Sequence, residues 1–555
     1  MPDESLKVFG IDLGTTYSAI AYVDETGRPA VCRNTDSLET TPSVVFFENE
    51  SNVVVGSVAK NSAITYPDQV VSLIKREMGS EAVYDYHGTT YTPESISALI
   101  LKQLAQDAAT HTGVPATRAV ITVPAYFGML ERTATKNAGQ IAGLDVIGIV
   151  PEPVAAALHY EATTDAEDKT ILVYDLGGGT FDTTAIRVSS DEIEVLCTDG
   201  DDHLGGAEWD ARLRDYLLQR FTESTGTDAE DDEEFMQSLA TTAEETKKQL
   251  SRAESRPVAL RGGGSSARVE VTRELFEHET RDLLDKTIDI VRRTLETLRD
   301  KRPGTTIDDV LLVGGSTKMP AVAERLRAEF GWEPKLHDPD LAVAKGAALY
   351  ALGRVVHKEK QDAEDAGGTA EQVRDRVAEA VGSVAEQTGI SVRTLEGLAA
   401  KQTRNVLPKA FGVKLVDTSD ADWQSKPKRH YVHHLVHAND ALPTEVRDLQ
   451  AATVEEGQQG IEIELFEQSG VVAGPELAEN KALNEGKGLI DGLPPMPIGS
   501  PIDIRMTVDA EGLLELNATE PSTGKSLDIK VRVSVRSDEE VAEAAKVVAG
   551  ITVSS

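Results

Sequence analysis

Two glycine-rich turns flanked by acidic side chains are the clearest candidates for chemistry in this sequence. VYDLGGGTFD places three glycines between Asp175 and Asp182, and FGIDLGTTYS places Gly14 two residues after Asp12. Each turn lies between two apolar runs, which predicts a tight connection between strands. Because glycine adopts positive φ at little cost, we expect each tip to direct its N–H groups inward and to bind an anion.

Two such tips facing each other would hold a polyphosphate from both sides, with hydroxyl donors from Thr15, Thr16 and Thr180. The neighbouring aspartates repel an anion, but they are explained if a hard cation such as Mg²⁺ binds there, directly or through water. No Gly-Lys-Ser/Thr follows either turn, so neither is a P-loop. One turn alone would also fit an ordinary tight turn with a self-capping aspartate.

Composition limits the classes of partner. The 555 residues exceed what one hydrophobic core organises, so several domains are expected. A net charge of −37, from 93 acidic and 56 basic residues, disfavours nucleic acid and anionic membranes as partners. The only cysteines, Cys32 and Cys197, are too few for a disulfide framework. With no signal-like or membrane-length apolar stretch, a cytoplasmic protein is expected.

The periodicity divides the chain into four parts. Residues 1–356 alternate apolar strands with amphipathic helices, which predicts a mixed α/β domain. Residues 357–404 predict a helical connector, with a capping box at Thr369 and Gln372. Residues 405–535 follow a period of two and predict an all-β domain, and residues 536–555 predict one short helix and a tail, with a capping box at Ser537.

Seven motifs occur in the α/β part in a specific order: GIDLGTTYS, VITVPAYF, EPVAAALHY, VYDLGGGTFD, GDDHLGGAEWD, VLLVGGSTKMP and DPDLAVAKGAA. They resemble the actin-like ATPase superfold and, more closely, the 70-kDa heat-shock chaperone (DnaK-like) family. EGQQGIEIELFEQ and the stretch from LIDGLPPMPIG to EPSTGK are similar to the family's peptide-binding sandwich. The resemblance implies a two-lobed α/β actin-like ATPase domain joined to an all-β sandwich.

The resemblance also implies roles for individual residues. The catalytic set would be Lys75 against the γ-phosphate, Glu152, Thr180, and Asp175 as proton acceptor. Asp12, Asp175 and Asp182 would surround Mg²⁺, mainly through water. The nucleotide would be bound by Asp12, Gly14, Thr15, Thr16, Tyr17, Gly177, Gly178, Gly179, Asp182, Gly205, Gly206, Glu244, Lys247, Ser251, Gly314, Gly315, Ser316, Lys318 and Asp340.

Each of these assignments has a simpler alternative. Lys75 alone would fit a solvated helix lysine, and Glu152 before Pro153 would fit an ordinary helix start. Lys318 occupies a position where the family usually has arginine, and Lys248 replaces an arginine found in some members. An ammonium group lacks the flat face of a guanidinium, so weaker adenine stacking is expected.

The region that connects the two domains departs from the family pattern. The apolar linker is replaced by AKQTR, with some forty extra residues before it, whereas Pro124 and Arg132 match the family's allosteric proline switch and its arginine. Val413, Leu415, Ile461 and Ile463 align with the peptide cleft, or are simply core residues of strands. Polar Gln450 lies near the position of an expected aromatic residue. With few residues after the last strand, no helical lid is expected.

The resemblance therefore implies an ATPase that uses ATP or ADP with Mg²⁺, and K⁺, and that holds unfolded or extended polypeptide under nucleotide control. J-domain and nucleotide-exchange co-chaperones are the implied partners. The alternative is a nucleotide-gated scaffold or regulator whose β domain binds one dedicated protein. A sugar or acetate kinase would share the phosphate clamp but would lack the β domain.

Overall fold

Two six-stranded sheets organise the first 404 residues of the chain. The structure is a computed structural model, and it describes residues 7–163, 168–190, 192–367, 369–420, 422–470, 472–509, 512–531 and 536–555. We call the part built on the first sheet lobe I and the part built on the second sheet lobe II. Both sheets mix parallel and antiparallel pairs, so the chain is a mixed α/β protein with several sheets.

Lobe I contains the first eleven strands. The sheet order is β11-β10-β1-β2-β3, with β4 paired to β2, while β5, β6 and β7 form part of a separate sheet. The strands are β1 (Phe9–Asp12), β2 (Tyr17–Val23), β3 (Pro29–Val31), β4 (Thr41–Pro42), β5 (Val45–Phe47), β6 (Asn52–Val55), β7 (Val70–Val71), β8 (Tyr84–Tyr86), β9 (Thr89–Tyr91), β10 (Arg118–Val123) and β11 (Asp145–Pro151). The helices are α1 (Ser57–Ser62), α2 (Pro93–Thr112), α3 (Met129–Ile141) and α4 (Glu152–Thr163).

Lobe II follows with the sheet order β18-β17-β12-β13-β14-β19 and a separate hairpin β15-β16. The strands are β12 (Lys169–Leu176), β13 (Phe181–Val188), β14 (Glu192–Asp201), β15 (Ser255–Gly262), β16 (Ser265–Thr272), β17 (Asp309–Val313), β18 (Lys335–Leu336) and β19 (Gln402–Arg404). The helices of lobe II are α5 (Gly206–Thr225), α6 (Glu233–Leu250), α7 (Arg273–Glu279), α8 (Arg281–Lys301) and α9 (Pro320–Phe330). They are followed along the chain by α10 (Ala342–Asp365), α11 (Ala370–Thr388) and α12 (Val392–Ala400).

Helices α4 and α10 pack between the two sheets. Their small apolar residues, such as Ala156 and Ala347, share one core with the inner faces of both lobes. Gly346 is required at this crossing because a Cβ there would lie 1.7 Å from the Ala155 carbonyl oxygen. The outer faces are covered by α2 and α3 on lobe I and by α5, α6 and α8 on lobe II. The lobes therefore meet at the crossing helices, and a cleft remains between their strand ends.

The connector between α10 and the β strands contains α11 and α12, both packed on α10. The capping box at Thr369 is present, with the Thr369 hydroxyl accepting from the Gln372 N–H, and Gly389 ends α11 in the left-handed conformation. Ile390 then lies near the β2–β3 turn, where a Cβ on Gly27 would be 3.6 Å from its Cγ1 atom. Gln402–Arg404, within the polar stretch AKQTR, pairs in parallel with Glu192–Glu194 of β14.

Two four-stranded antiparallel sheets follow and share one apolar core. We call residues 405–531 the β domain. The sheet orders are β21-β20-β23-β24 and β22-β25-β26-β27. The strands are β20 (Phe411–Val416), β21 (His430–Val436), β22 (Arg447–Ala452), β23 (Ile461–Gln468), β24 (Asn480–Ile490), β25 (Pro501–Val508), β26 (Leu514–Glu520) and β27 (Lys525–Val531).

The chain ends with α13 (Asp538–Gly550) and β28 (Thr552–Ser554). Helix α13 begins with the expected Ser537 capping box. It packs on α2 and α3 of lobe I, and β28 pairs with β6. Within the described ranges, no helix is both long enough and apolar enough to cross a membrane.

Candidate functional site

A cavity of about 1000 Å³ lies between the lobes and collects most of the residues that the sequence analysis selected. Its lining includes Asp12, Gly14, Thr15, Thr16, Tyr17, Lys75, Glu152, Asp175, Gly177, Gly178, Thr180, Gly206, Glu244, Lys247, Ser251, Gly314, Gly315, Ser316, Lys318 and Asp340. Gly179, Asp182 and Gly205 are not in this lining, but each is next to a residue that is: Gly179 to Thr15, Asp182 to Asp175 and Gly205 to Thr180. Two distant turns and two helices therefore converge on one space.

The two glycine turns lie directly against each other. A Cβ on Gly178 would be 1.9 Å from the Thr16 hydroxyl oxygen, and one on Gly179 would be 2.3 Å from the Thr15 methyl carbon. Gly205 approaches as closely, since its Cβ would lie 2.5 Å from the Gly179 carbonyl carbon. Only glycine fits at such distances.

The predicted reason for these glycines was wrong. Gly14 and the Gly177–Gly179 run are not among the glycines with positive φ. Their φ values are ones that other residues also adopt, and at Gly178 and Gly179 the lack of a side chain is needed instead for the close contact between the two loops. Gly314, with φ of 83°, is the site glycine that needs the left-handed region.

The centre of the cavity contains a buried ion pair. The Lys75 Nζ lies 2.6 Å from the Glu152 Oε1, and both side chains are less than 10% exposed. The Lys75 ammonium also lies 5.7 Å from the centre of the Phe127 ring. Lys75 sits in a short 3-10 turn after Leu73, whose φ of 59° turns the chain toward the cleft. Neither residue is a solvated surface group.

Three aspartates lie around this pair; Asp175 and Asp182 are buried, and Asp12 is partly buried. Burial, followed by the charge of Glu152, raises the pKa of Asp12 to about 7. The same two causes raise the pKa of Asp175 and Asp182 well above the ordinary aspartate value. Asp182 Oδ1 is buried without a hydrogen-bond partner. A cluster this rich in negative charge fits a bound cation, which would favour the ionised carboxylates.

The spacing of these aspartates suits a cation held through water. Among the described residues, the one group of three ligating side chains with all ligand atoms within 4.8 Å of one another is Asp201, Asp202 and His203. That group is largely exposed and is not part of the cavity lining. The three predicted aspartates are more widely spaced, so water molecules would be needed between them and a small ion.

On the opposite side of the cavity, lysines and carboxylates join the two lobes. The Tyr17 hydroxyl donates to Glu244 Oε1 at 3.0 Å and accepts from Lys60 at 3.0 Å and from Lys248 at 2.9 Å. Burial alone would raise the pKa of Glu244, but Lys60 and Lys248 outweigh it and lower the pKa to about 2. Tyr17 and Lys60 belong to lobe I and the other two to lobe II, so this network spans the cleft.

The remaining predicted residues line the lobe II side. Lys247 donates to Asp210 and to the Gly206 carbonyl oxygen, both at 2.8 Å, and Lys318 pairs with Asp340. The Ser316 hydroxyl donates to the Gly177 carbonyl oxygen at 2.9 Å. Polar groups from α6 and from the turn after β17 therefore border one pocket.

Sequence reasoning missed three residues that support the site: Lys60, Arg76 and Asp210. Arg76 donates to the Gly179 carbonyl oxygen at 2.6 Å and to both oxygens of Glu208 at 2.9 Å. Glu208 in turn accepts from the Gly205 N–H at 2.7 Å. Arg76 was adjacent to a selected lysine in SLIKREMG, which was its only signal, because its partners lie more than a hundred residues away.

The segment that contains Pro124 and Arg132 touches both the site and the β domain. Arg132 is partly buried and donates to the carbonyl oxygens of Phe127 at 2.8 Å and Ala125 at 3.2 Å. Burial lowers its pKa to about 10. Three residues before it, the Met129 N–H donates to Glu467 Oε1 at 3.3 Å.

Further contacts hold the β domain on lobe I. Lys409 and Glu131 pair at 2.7 Å, and Lys481 donates to the Gly79 carbonyl oxygen at 3.0 Å. Leu130 belongs to the core of the β domain. Burial raises the pKa of Glu467 to about 7, against the opposing charge of Lys409. The segment that shapes the cavity is therefore also an interdomain contact.

The four residues aligned with a peptide cleft lie in the β-domain core. Val413, Ile461 and Ile463 are at most 9% exposed, and Leu415 packs against the same core. Gln450 is on the edge strand β22, where its side chain donates to Asp503 at 3.3 Å. A bound peptide would reach the three buried residues only after the surrounding side chains had moved.

A comparison with protein families agrees with these observations. A family model described as Hsp70 protein matches residues 8–85, 81–365 and 400–550. The stretch between residues 365 and 400, which the family model does not match, contains α11 and nearly all of α12.

Proposed function

Because the chain belongs to the Hsp70 family, we propose that it is an ATP-dependent chaperone that binds and hydrolyses ATP between two lobes of an actin-like ATPase domain. The proposed organisation is an ATPase domain at 1–356, a helical connector at 357–404, a peptide-binding β-sandwich at 405–535 and a C-terminal helix and tail at 536–555. Nucleotide in the cleft controls the β-sandwich, which binds unfolded or extended polypeptide.

One observation carries the proposal: a buried lysine–carboxylate pair lies beside two glycine loops in a cavity shared by both lobes. Phosphoryl transfer to water depends mainly on positioning and on neutralising charge. In the proposed reaction, Lys75 neutralises negative charge on the transferred phosphoryl group, while Glu152 holds the lysine in place. Asp175, with its raised pKa, accepts the proton of the attacking water.

The other residues bind and orient the nucleotide. Thr15, Thr16 and Thr180 donate to phosphate oxygens, and the lobe II residues Glu244, Lys247, Ser251, Lys318 and Asp340 contact adenosine. Asp12, Asp175 and Asp182 would hold Mg²⁺ through water, with K⁺ as an additional cation. Bound Mg²⁺ supplies positive charge that stabilises the phosphoryl oxygens.

The β domain is the proposed polypeptide site, with Val413, Leu415, Ile461 and Ile463 as its apolar contacts. The segment from Pro124 to Arg132 supports a coupling route, since it contacts the cavity at one end and Glu467 at the other. J-domain and nucleotide-exchange proteins are proposed partners. Cys32 and Cys197 are unpaired and buried, which supports the proposed cytoplasmic location.

A peptide array probed with the full chain, with and without Mg²⁺-ATP, tests the proposed function. A chaperone binds many apolar peptides and releases them faster with ATP. Binding to one protein partner, without general peptide affinity, would instead identify a nucleotide-gated scaffold. Phosphate release measured with and without EDTA tests the hydrolysis step separately from peptide binding.

A further inference from the structure

The C-terminal segment, residues 536–555, is built into lobe I. Strand β28 pairs in parallel with β6, with Thr552 opposite Asn52 and Val553 opposite Val53, and so extends a lobe I sheet by one strand. Val548 and Val553, which are at most 7% exposed, belong to the lobe I core. The segment is therefore part of the folded lobe.

Polar contacts fix the same segment. Lys102 on α2 donates to the carbonyl oxygens of Val548 and Ile551, both at 2.8 Å, where α13 ends. The Arg536 Nε lies 3.8 Å from Glu94, a carboxylate that is 1% exposed. A lysine that satisfies two carbonyl groups at a helix C-terminus stabilises that end. Both ends of α13 are thus held by lobe I.

The β domain starts from the other lobe. Its preceding strand β19 pairs with β14 of lobe II. The Asn439 amide accepts from the Thr198 N–H at 2.8 Å and donates to the Thr198 carbonyl oxygen at 3.1 Å. Lys301 on α8 donates to the Ala438 carbonyl oxygen at 3.1 Å. The chain therefore enters the β domain from lobe II and leaves it into lobe I, while the β domain contacts both lobes.

We infer that the C-terminal segment is an intramolecular strap that keeps the β domain docked across both lobes and so restrains their relative rotation. Val531 ends the last β-domain strand and Arg536 begins the segment, five residues later. Five residues extend to at most about 17 Å, so this end of the β domain stays close to lobe I while the segment is folded. A docked β domain that contacts both lobes opposes any opening of the cleft.

This restraint has a functional consequence that rests on the proposed nucleotide site. Nucleotide leaves a two-lobed cleft when the lobes move apart, so the strap slows nucleotide exchange. Lengthening the tether without removing the segment separates this role from the structural role of β28 in the lobe I sheet.

The test inserts twenty Gly/Ser residues between Val531 and Arg536 of the full chain. A tether lengthened from about five to about 25 residues weakens docking roughly tenfold through loop entropy alone. The matched control carries the same insertion in the exposed turn between Gly263 and Gly264 of lobe II.

Hydrogen exchange of three amides gives a readout that needs no nucleotide. In the lengthened variant, the Met129 and Thr198 N–H groups, which bond to the β domain, should exchange about tenfold faster. The Thr552 N–H, which bonds to Ser51, should stay protected because the segment remains on lobe I. Unchanged exchange at Met129 and Thr198 would overturn the inference.

Release of a fluorescent ADP from the same proteins tests the consequence. Release should be several-fold faster from the lengthened variant than from the control insertion. Faster amide exchange with unchanged release would overturn the restraint on the cleft. If no variant bound nucleotide at all, the proposed function would fail, whereas the exchange of Met129 and Thr198 would still decide whether the strap exists.

Discussion

Lys75 and Glu152 form a 2.6 Å ion pair with both side chains buried, although 76 residues separate them in the chain. The lysine is in a 3-10 turn of lobe I and the glutamate is the first residue of α4. Each neutralises the other in a place where an unpaired charge would be costly. The pair is therefore both a structural contact and the central element of the proposed reaction.

Replacement of Lys75 by alanine should nearly abolish hydrolysis while nucleotide remains bound. Loss of one group that stabilises transition-state charge typically costs about 100- to 1000-fold in rate. Single-turnover hydrolysis and nucleotide titration measure the two effects separately. Lys136→Ala, which removes an exposed lysine on α3, is the control and should change neither. Normal turnover in Lys75→Ala would contradict the assigned role.

The ion pair also predicts a stability pattern. Lys75→Met leaves Glu152 as an uncompensated buried charge and should destabilise the chain by about 3–5 kcal/mol. Adding Glu152→Gln should recover much of this loss, because neither buried group is then charged. Thermal unfolding of the single and double variants measures the coupling. Additive losses would mean that the two residues do not interact as the structure indicates.

Gly178→Ala should disrupt the phosphate loops, since its Cβ would lie 1.9 Å from the Thr16 hydroxyl. The loops would have to separate, and we expect nucleotide affinity to fall by at least about tenfold, or about 1.4 kcal/mol. Gly177→Ala is a close control, because the nearest atom to its Cβ is 3.5 Å away, an ordinary contact. Equal affinities for the two variants would show that close packing of the loops is unimportant.

Asp12 predicts a pH dependence of stability. The pKa of Asp12 is about 7 in the folded chain, against 3.8 ordinarily, so between these values the folded state binds more protons than the unfolded state. Because of this group, the free energy of unfolding is higher at low pH and falls as the pH rises toward 7, by up to about 1.4 kcal/mol per pH unit. Mg²⁺ and nucleotide should therefore stabilise the folded chain more near pH 7 than at lower pH.

Thermal unfolding at pH 5 and pH 7 without ligand checks this expectation. Asp12→Asn should lose less stability between the two pH values than the unmodified chain does. Asp215→Asn, at a 60% exposed carboxylate, should keep the original slope. The same slope in all three proteins would mean that Asp12 does not titrate in this range.

The Tyr17 network predicts slower nucleotide release than an open cleft would allow. Glu244 bonds to Tyr17, Lys60 and Lys248, so Glu244→Gln should weaken the contact between lobes. We expect ADP to dissociate several-fold faster, because a lost hydrogen bond typically costs about 1 kcal/mol. Stopped-flow release measures it, with Glu223→Gln on α5 as the control. An unchanged rate would exclude a role for this network in exchange.

Local sequence signals predicted elements whose determinants are close in the chain. The capping boxes at Thr369 and Ser537 are examples, because a hydroxyl and an N–H three residues apart suffice. The glycine turns were recognisable, but the physical reason for them was not. Contact between Gly178 and Thr16 joins residues 162 positions apart, and no local pattern reports such an approach.

Two short strands show the same limit. Gln402–Arg404 and Thr552–Ser554 each have three residues, too few for a visible alternation, and their partners are at Glu192 and Asn52. Both form because a sheet edge is available, which is a property of the folded lobes. The sequence therefore indicated a helix and a tail at the C-terminus but not its return to lobe I.

Calorimetric titration of the purified full chain with ADP and with ATP, each with Mg²⁺, tests the central claim most directly. A nucleotide site formed by both lobes predicts saturable binding of one nucleotide per chain and weaker binding when Mg²⁺ is withheld. No measurable uptake of either nucleotide in the presence of Mg²⁺ would contradict the account.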